Sequence, residues 1–113
     1  MTGTSSSLRL WRAALAVLFA VVSYLALVSI PPPQADFGWD KVNHIAAFAA
    51  LAAVATPAFP GRRGAIVAWL LVYGVLIEVA QAFIPLRTGD WRDLVGDAVG
   101  IALGLAFARA GRR

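Results

Sequence analysis

The chain has 113 residues, no cysteine and a formal net charge of +4, with 60% apolar and only 14% charged residues. A soluble domain carries roughly 45–50% apolar and 25% charged residues, and one this small could not bury such an excess. The composition therefore predicts an all-α integral membrane protein, and the lack of cysteine excludes disulfides, thiol nucleophiles and cysteine metal sites.

The first predicted element is a transmembrane helix at about 11–30, preceded by a flexible polar tail, 1–10. Pro31–Pro33 end it, because proline lacks the amide hydrogen that a continuing helix needs. Arg9 and Arg12 resemble the start of a signal peptide. The apolar run is longer than the usual 7–15 residues of such peptides, so we expect an uncleaved helix.

Two further apolar segments predict the second and third helices. The second lies at about 41–59, and we expect Pro57 and Pro60 to close it. The third lies at about 65–84 and ends before Pro85.

The fourth predicted helix, 93–108, is followed by a basic tail, 109–113. Its sixteen residues span only about 24 Å, so it needs a locally thinner bilayer or a hydrated end. Gly96, Gly100 and Gly104 recur every four residues and predict close helix packing. The same glycine faces could join copies of the chain into a homo-oligomer.

Charge is divided between the two sides of this four-helix topology. The basic residues occur in ones and twos, so we expect no nucleic-acid partner and interpret them as topology signals. One side holds both termini and the second loop, with most of the basic residues: Arg9, Arg12, Arg62, Arg63, Arg109, Arg112 and Arg113. The other side holds every acid: Asp36, Asp40, Glu78, Asp90, Asp93 and Asp97. The positive-inside rule places both termini in the cytoplasm and the acids toward the extracytoplasmic side of a cell membrane.

His44 is the first candidate site residue, because an ionisable group within a membrane helix is costly and suggests a function. Asp40 lies one turn before it on the same face and could equally serve as the helix N-cap. Glu78 and Gln81 share a face near the end of the third helix. They predict either part of a ligand site or an interhelical polar clamp.

Asp93 and Asp97 lie one turn apart on the fourth helix, where two carboxylates repel each other unless a proton or cation intervenes. Lys41 and Arg87 are the predicted cations. We predict no cofactor and no resident metal. If a metal took part, the ligands indicated would be His44, Asp93 and Asp97.

These motifs resemble the VanZ-like family. Its pattern is D-K-x-x-H, then E-x-x-Q, then R with a following D-L and glycines. The matching stretches span about 38–104 and are Asp40-Lys41-Val42-Asn43-His44 with Phe48 and Leu51, Tyr73-Gly74 with Ile77-Glu78 and Gln81, Pro85-Leu86-Arg87, and Asp93-Leu94 with Gly100 and Gly104. Asp97 stands where the family often has asparagine, which adds charge to the site. The resemblance implies a small multi-helix membrane protein, named for low-level resistance to the glycopeptide teicoplanin, with no settled reaction.

Three functions remain open at this stage. The first is binding or modulation of an anionic or lipid-linked cell-envelope component in an outward-facing polar pocket. Its ligand-binding candidates are Asp40, Lys41, His44, Glu78, Gln81, Arg87, Asp93 and Asp97. The second is an intramembrane hydrolase-type enzyme with His44 as acid or base, and Glu78, Asp93 and Asp97 as partners. The third is a small transporter subunit or a structural membrane protein.

Overall fold

A computed structural model describes residues 5–28, 40–84 and 92–111 of the chain. The described residues form four α-helices: α1 (Ser5–Leu27), α2 (Asp40–Ala58), α3 (Arg63–Gln81) and α4 (Asp93–Gly111). No strand occurs among them. The predicted all-α class with four helices is therefore confirmed.

Three of the described helices, α1, α3 and α4, are long and apolar enough to cross a membrane, while α2 carries a shorter apolar stretch, Val42–Ala58. At 1.5 Å per residue, nineteen residues give about 28 Å, close to the roughly 30 Å of bilayer hydrocarbon. The protein is thus a multi-pass membrane bundle. Large apolar side chains face outward, as lipid permits; among the most exposed are Trp69, Phe83 and Phe107.

Several helix boundaries differ from the prediction; α3, for example, ends at Gln81 rather than near 84. Helix α1 begins at Ser5, so much of the predicted flexible tail is helical. Nothing in this stretch breaks a helix, since α1 contains no proline or glycine. Helix α4 continues to Gly111 instead of ending near 108. The expected end of the first helix at Ile30 lies outside the described residues.

The turn between α2 and α3 begins within one residue of the predicted position, although Pro57 does not lie in it. Pro57 lies inside α2, which ends at Ala58, so only Pro60 belongs to the turn. Proline near a helix end loses one amide hydrogen bond without ending the helix at once. Gly61 then takes a φ of 76°, a left-handed conformation that glycine adopts without a side-chain clash. This tight turn makes α2 and α3 antiparallel neighbours.

The closest helix contact joins α2 and α4. A Cβ added at Gly100 would lie 2.5 Å from the carbonyl oxygen of Ile45, and one at Gly104 would clash with the carbonyl oxygen of Ala49. Both glycines therefore let the two backbones touch, as small-residue stripes do in membranes. This use within the chain leaves Gly100 and Gly104 buried, and any homo-oligomer would have to form through other faces.

Helix α1 packs on the outside of this pair through a narrow strip. Its only buried residue is Leu15, which joins a core built around Phe48, Leu51 and Leu70. Arg12 donates from Nε to the carbonyl oxygen of Ala58 at 2.9 Å. That oxygen belongs to the last turn of α2, where carbonyl groups lack intrahelical partners.

Candidate functional site

One end of the bundle collects ionisable side chains from three helices. At this end, called the polar end below, α1 and α3 finish while α2 and α4 begin. His44 lies one turn into α2, Glu78 one turn before the end of α3, and Asp93 and Asp97 in the first two turns of α4. We call His44, Glu78, Asp93 and Asp97 the polar cluster.

The shortest contact in the polar cluster is between His44 and Asp97. The imidazole Nδ1 donates to Oδ1 of Asp97 at 2.7 Å, across 53 positions of sequence. Asp97 is fully buried, and its Oδ2 has no hydrogen-bond partner among the described residues. Asp97 therefore fixes the ring orientation, and in its ionised form it accepts the hydrogen of Nδ1.

The other imidazole nitrogen faces the two remaining carboxylates. His44 Nε2 lies 3.4 Å from Oδ2 of Asp93 and 4.0 Å from Oε1 of Glu78. His44, Glu78 and Asp93 each have one atom that could bind a metal, and these three atoms lie within 4.8 Å of one another. The imidazole is therefore surrounded by carboxylates on both of its nitrogen edges.

The ionisable groups of the polar cluster interact strongly because they are buried. The exposed fractions are 8% for Glu78, 5% for Asp93 and 0% for Asp97. Water screens such groups poorly, so the attraction of a carboxylate for a cation is much larger here than at a wet surface. The polar cluster is suited to hold a proton, a cation or a hydrogen-bonding group.

Glycine at position 74 makes room for the polar cluster on α3. A Cβ there would lie 2.5 Å from Oδ2 of Asp97. Phe48 is also nearby, with its ring parallel to that of His44 and the centroids 6.5 Å apart. Tyr73-Gly74 and Phe48 belong to the family pattern described above. The role of Gly74 as the space for Asp97 depends on helix packing, which the sequence alone does not show.

Gln81 lies at the same end and contacts α1. Its Nε2 donates to the carbonyl oxygen of Ala26 at 2.8 Å. Tyr73 makes a second link, with its hydroxyl 2.5 Å from that of Ser23. These two bonds tie α1 to α3 near the polar cluster, and Ser23 and Ala26 were not predicted to take part.

Three predicted site residues cannot be placed by their side chains. Asp40 and Lys41 begin α2 at the polar end, but their side chains lie outside the described part of the structure. Arg87 lies outside the described residues altogether. The three donor atoms that could share one ion belong to His44, Glu78 and Asp93. Glu78 thus replaces Asp97 in the ligand set that sequence spacing indicated.

Two grooves of the described bundle lie away from the polar cluster. A groove of about 350 Å³ runs between α1, α2 and α3 and is lined mostly by apolar side chains such as Leu15, Phe19 and Trp69. A second, of about 310 Å³, lies beside Arg63 and Arg109. Both are nearer the opposite end. Neither groove is therefore part of the polar cluster.

Comparison with known proteins gives one result. A family model described as VanZ/LLP1 matches residues 4–112, which include all four helices and the whole polar cluster. No curated protein and no solved structure matches the chain.

Proposed function

The chain belongs to the VanZ/LLP1 family, whose model matches nearly its whole length, and from this premise we propose that it is a cell-membrane protein that binds an anionic, lipid-linked cell-envelope component. The proposed binding site is the polar end of the bundle. The observation that carries the proposal is the convergence of His44, Glu78, Asp93 and Asp97 from three helices. Isolated carboxylates at this depth would be costly in lipid, so their collection at one site indicates a function.

The ends of the bundle support an outward-facing site. Described basic residues near the opposite end, the basic end, are Arg9, Arg12, Arg62, Arg63 and Arg109. Positive charge is retained in the cytoplasm, so the polar cluster would open toward the extracytoplasmic leaflet. Lipid-linked envelope components expose their head groups there.

Basic residues at the polar end supply the attraction for an anion. Arg92 is exposed immediately before α4, and Lys41 begins α2 at the same end. Guanidinium groups bind phosphate oxygens through paired hydrogen bonds. The head group would contact these cations while His44 and its carboxylates bind its hydroxyl or phosphate oxygens.

Binding can be measured with a defined probe. Purified protein in phosphatidylcholine nanodiscs would be titrated with a polyprenyl phosphate and, separately, with phosphatidylglycerol, and complexes counted by native mass spectrometry. We expect the polyprenyl phosphate to bind more tightly than phosphatidylglycerol, and Arg92→Gln or His44→Gln to weaken it at least about tenfold, the loss of one charge-assisted contact.

Arg109→Gln is the matched control, because it removes the same charge at the basic end. Equal losses from Arg92→Gln and Arg109→Gln would mean general attraction to anionic lipid and would refute a site at the polar end. A contribution to glycopeptide resistance would follow only if the bound component were also the target of the antibiotic. Expression in a sensitive host, with and without His44→Gln, tests that link.

A hydrolytic enzyme is the second candidate, favoured by the 2.7 Å bond between His44 and Asp97. A carboxylate that orients an imidazole leaves the other ring nitrogen to act as a general base. Release of inorganic phosphate from a polyprenyl diphosphate, repeated over many turnovers and lost in His44→Gln, would support this candidate. Stable binding of that lipid without release would exclude it for this substrate.

A further inference from the structure

The arrangement of donor atoms around His44 points to a metal ion. We propose that His44, Glu78 and Asp93 bind one divalent transition-metal ion, Zn²⁺ or Mn²⁺, and that Asp97 orients the imidazole. The suggested role of the ion, as the positive charge that meets an anionic head group, rests on the proposed function. The presence of the ion does not, and it is tested with the metal alone.

In its neutral form, the imidazole is oriented as a metal ligand requires. Because Nδ1–H is donated to Asp97, the lone pair of neutral His44 is on Nε2, the nitrogen that faces Asp93 and Glu78. Metal-binding histidines almost always donate their second nitrogen to a carboxylate or carbonyl in this way. Asp97, fully enclosed, is well placed for that supporting role.

The distances fit ligands of one ion. Two ligands bound to a tetrahedral ion at about 2.1 Å are roughly 3.4 Å apart. The Nε2 of His44 and Oδ2 of Asp93 are 3.4 Å apart. The oxygen of Glu78 lies 4.0 Å from Nε2, and all three ligand atoms lie within 4.8 Å of one another. Glu78 would therefore have to move closer to both of the other ligands, which a rotation of its long side chain can supply.

Charge favours the same occupant. A divalent cation between the Nε2 lone pair and the two carboxylates is attracted by all three groups. One nitrogen and two carboxylate oxygens suit Zn²⁺ or Mn²⁺. Mg²⁺ and Ca²⁺ prefer oxygen ligands alone and fit this donor set less well.

Three protein ligands leave at least one coordination position open. Zinc sites that act on substrates use three protein ligands and keep the fourth position for water or substrate. At the polar end, that position would accept a phosphate or carboxylate oxygen of the head group. The acidic character of the polar cluster would then be compatible with an anionic ligand.

The composition of the chain makes the test unusually direct. His44 is the only histidine, and there is no cysteine, so a purification tag without histidine leaves a single imidazole in the sample. Protein in detergent would be stripped with a chelator and titrated with Zn²⁺ or Mn²⁺. Bound metal would be counted by elemental analysis, and pulsed EPR of the Mn²⁺ form would detect a directly bound nitrogen.

We expect about one equivalent of metal, with Zn²⁺ bound more tightly than Mn²⁺, as the general affinity order requires. A hundredfold excess of Mg²⁺ or Ca²⁺ should not displace it. The Mn²⁺ spectrum should show coupling to one nitrogen. These measurements use only the unaltered protein, so they do not depend on whether a variant folds.

Variants then assign the ligands. His44→Gln should abolish the nitrogen coupling, and Asp97→Asn should weaken metal binding by about 10–100-fold, the usual effect of changing an orienting group. Thr56→Val is the control. It removes a buried hydroxyl that bonds within α2 to the carbonyl oxygen of Ala52, far from the polar cluster, and should leave the affinity unchanged.

Several outcomes would overturn the proposal. Less than a tenth of an equivalent of either metal at millimolar concentration would show that the polar cluster is not a metal site. Binding without nitrogen coupling would place the metal elsewhere. If metal binds and the polyprenyl phosphate does not, the proposed function fails while the metal site stands, so the two failures are distinguishable.

Discussion

Asp97 is the residue on which the geometry of the polar cluster depends. Its Oδ1 accepts from His44, and its Oδ2 is enclosed where a Cβ at Gly74 would lie 2.5 Å away. A buried oxygen without a hydrogen bond costs about 1–3 kcal/mol. Buried polar atoms without a hydrogen bond often occur where a functional group must be held in place.

The first prediction concerns Gly74. In Gly74→Ala the new methyl group meets the carboxylate of Asp97, which must move and lengthen its bond to His44. We expect the free energy of unfolding to fall by about 1–3 kcal/mol, as overpacking usually does, and metal binding to weaken. Unfolding in mixed detergent and the metal titration measure the two effects.

Gly64→Ala is the matched control on the same helix. No atom lies within 4 Å of an added Cβ at Gly64, so the substitution should raise the free energy of unfolding by roughly 0.4–1 kcal/mol. Equal behaviour of the two variants would show that position 74 does not constrain Asp97.

At the scale of elements, the contact of α2 with α4 brings two of the cluster residues together. Gly100 and Gly104 let the α4 backbone touch that of α2, and His44 and Asp97 lie just beyond this contact along the two helices. Close helices exclude lipid from between polar groups. Gly100 and Gly104 therefore influence the polar cluster by setting the distance between α2 and α4.

The second prediction tests that spacing. A Cβ in Gly100→Ala would lie 2.5 Å from the carbonyl oxygen of Ile45, and backbone cannot move aside as a side chain can. We expect a loss of about 1–3 kcal/mol in the free energy of unfolding and a weaker metal site. Gly111→Ala, which meets no atom within 4 Å, should be close to neutral. A neutral Gly100→Ala would contradict the described packing.

The third prediction concerns the docking of α1 on α2. Arg12 donates to the carbonyl oxygen of Ala58 and lies over the ring of Phe59, 4.6 Å from its centroid. Arg12→Ala should lower the free energy of unfolding by about 1 kcal/mol, because a carbonyl in the last turn of α2 loses its donor. Arg9→Ala, at an exposed position one turn earlier, removes the same charge and should change little. Equal losses from both would make Arg12 only a topology signal.

Some features of the helices could be predicted from the sequence and others could not. Hydropathy and proline positions were enough to predict four helices, since a continuous apolar run of this length has few alternatives. The role of Arg12 was not foreseeable, because its partner Ala58 is 46 positions away. The face of α2 that meets α4 was not predicted from the sequence either; it is formed by Ile45, Ala49 and Ala52.

The polar cluster could also be predicted only in part from the sequence. Its members could be predicted, because each is costly in a membrane and all lie at one side of the topology. Their arrangement could not. Whether Glu78 or Asp97 shares the Nε2 side of His44 depends on how α3 and α4 rotate against α2. Sequence spacing within one helix does not contain that rotation.

At the scale of the whole molecule, the two ends of the bundle carry opposite charge. The polar cluster occupies one end, and described arginines such as Arg62, Arg63 and Arg109 lie near the other. This division supports the proposed orientation, with the basic end in the cytoplasm.

The fourth prediction tests this orientation directly. Since the chain has no cysteine, single cysteines can be introduced at Gly61 and at Arg92 and labelled in intact cells. We expect a membrane-impermeant maleimide to label position 92 in intact cells, and position 61 only after the membrane is opened. The reverse pattern would place the polar cluster in the cytoplasm and refute an outward-facing site.

The bond between His44 and Asp97 also sets an order of events during synthesis. The ribosome must add 53 residues after His44 before its partner exists, which takes about 3–10 s at ordinary translation rates. During that interval the second helix can enter the bilayer with a neutral imidazole, the least costly member of the cluster to insert. The aspartates arrive last and meet a histidine already in place. The polar cluster is therefore completed only when the final helix has left the insertion machinery.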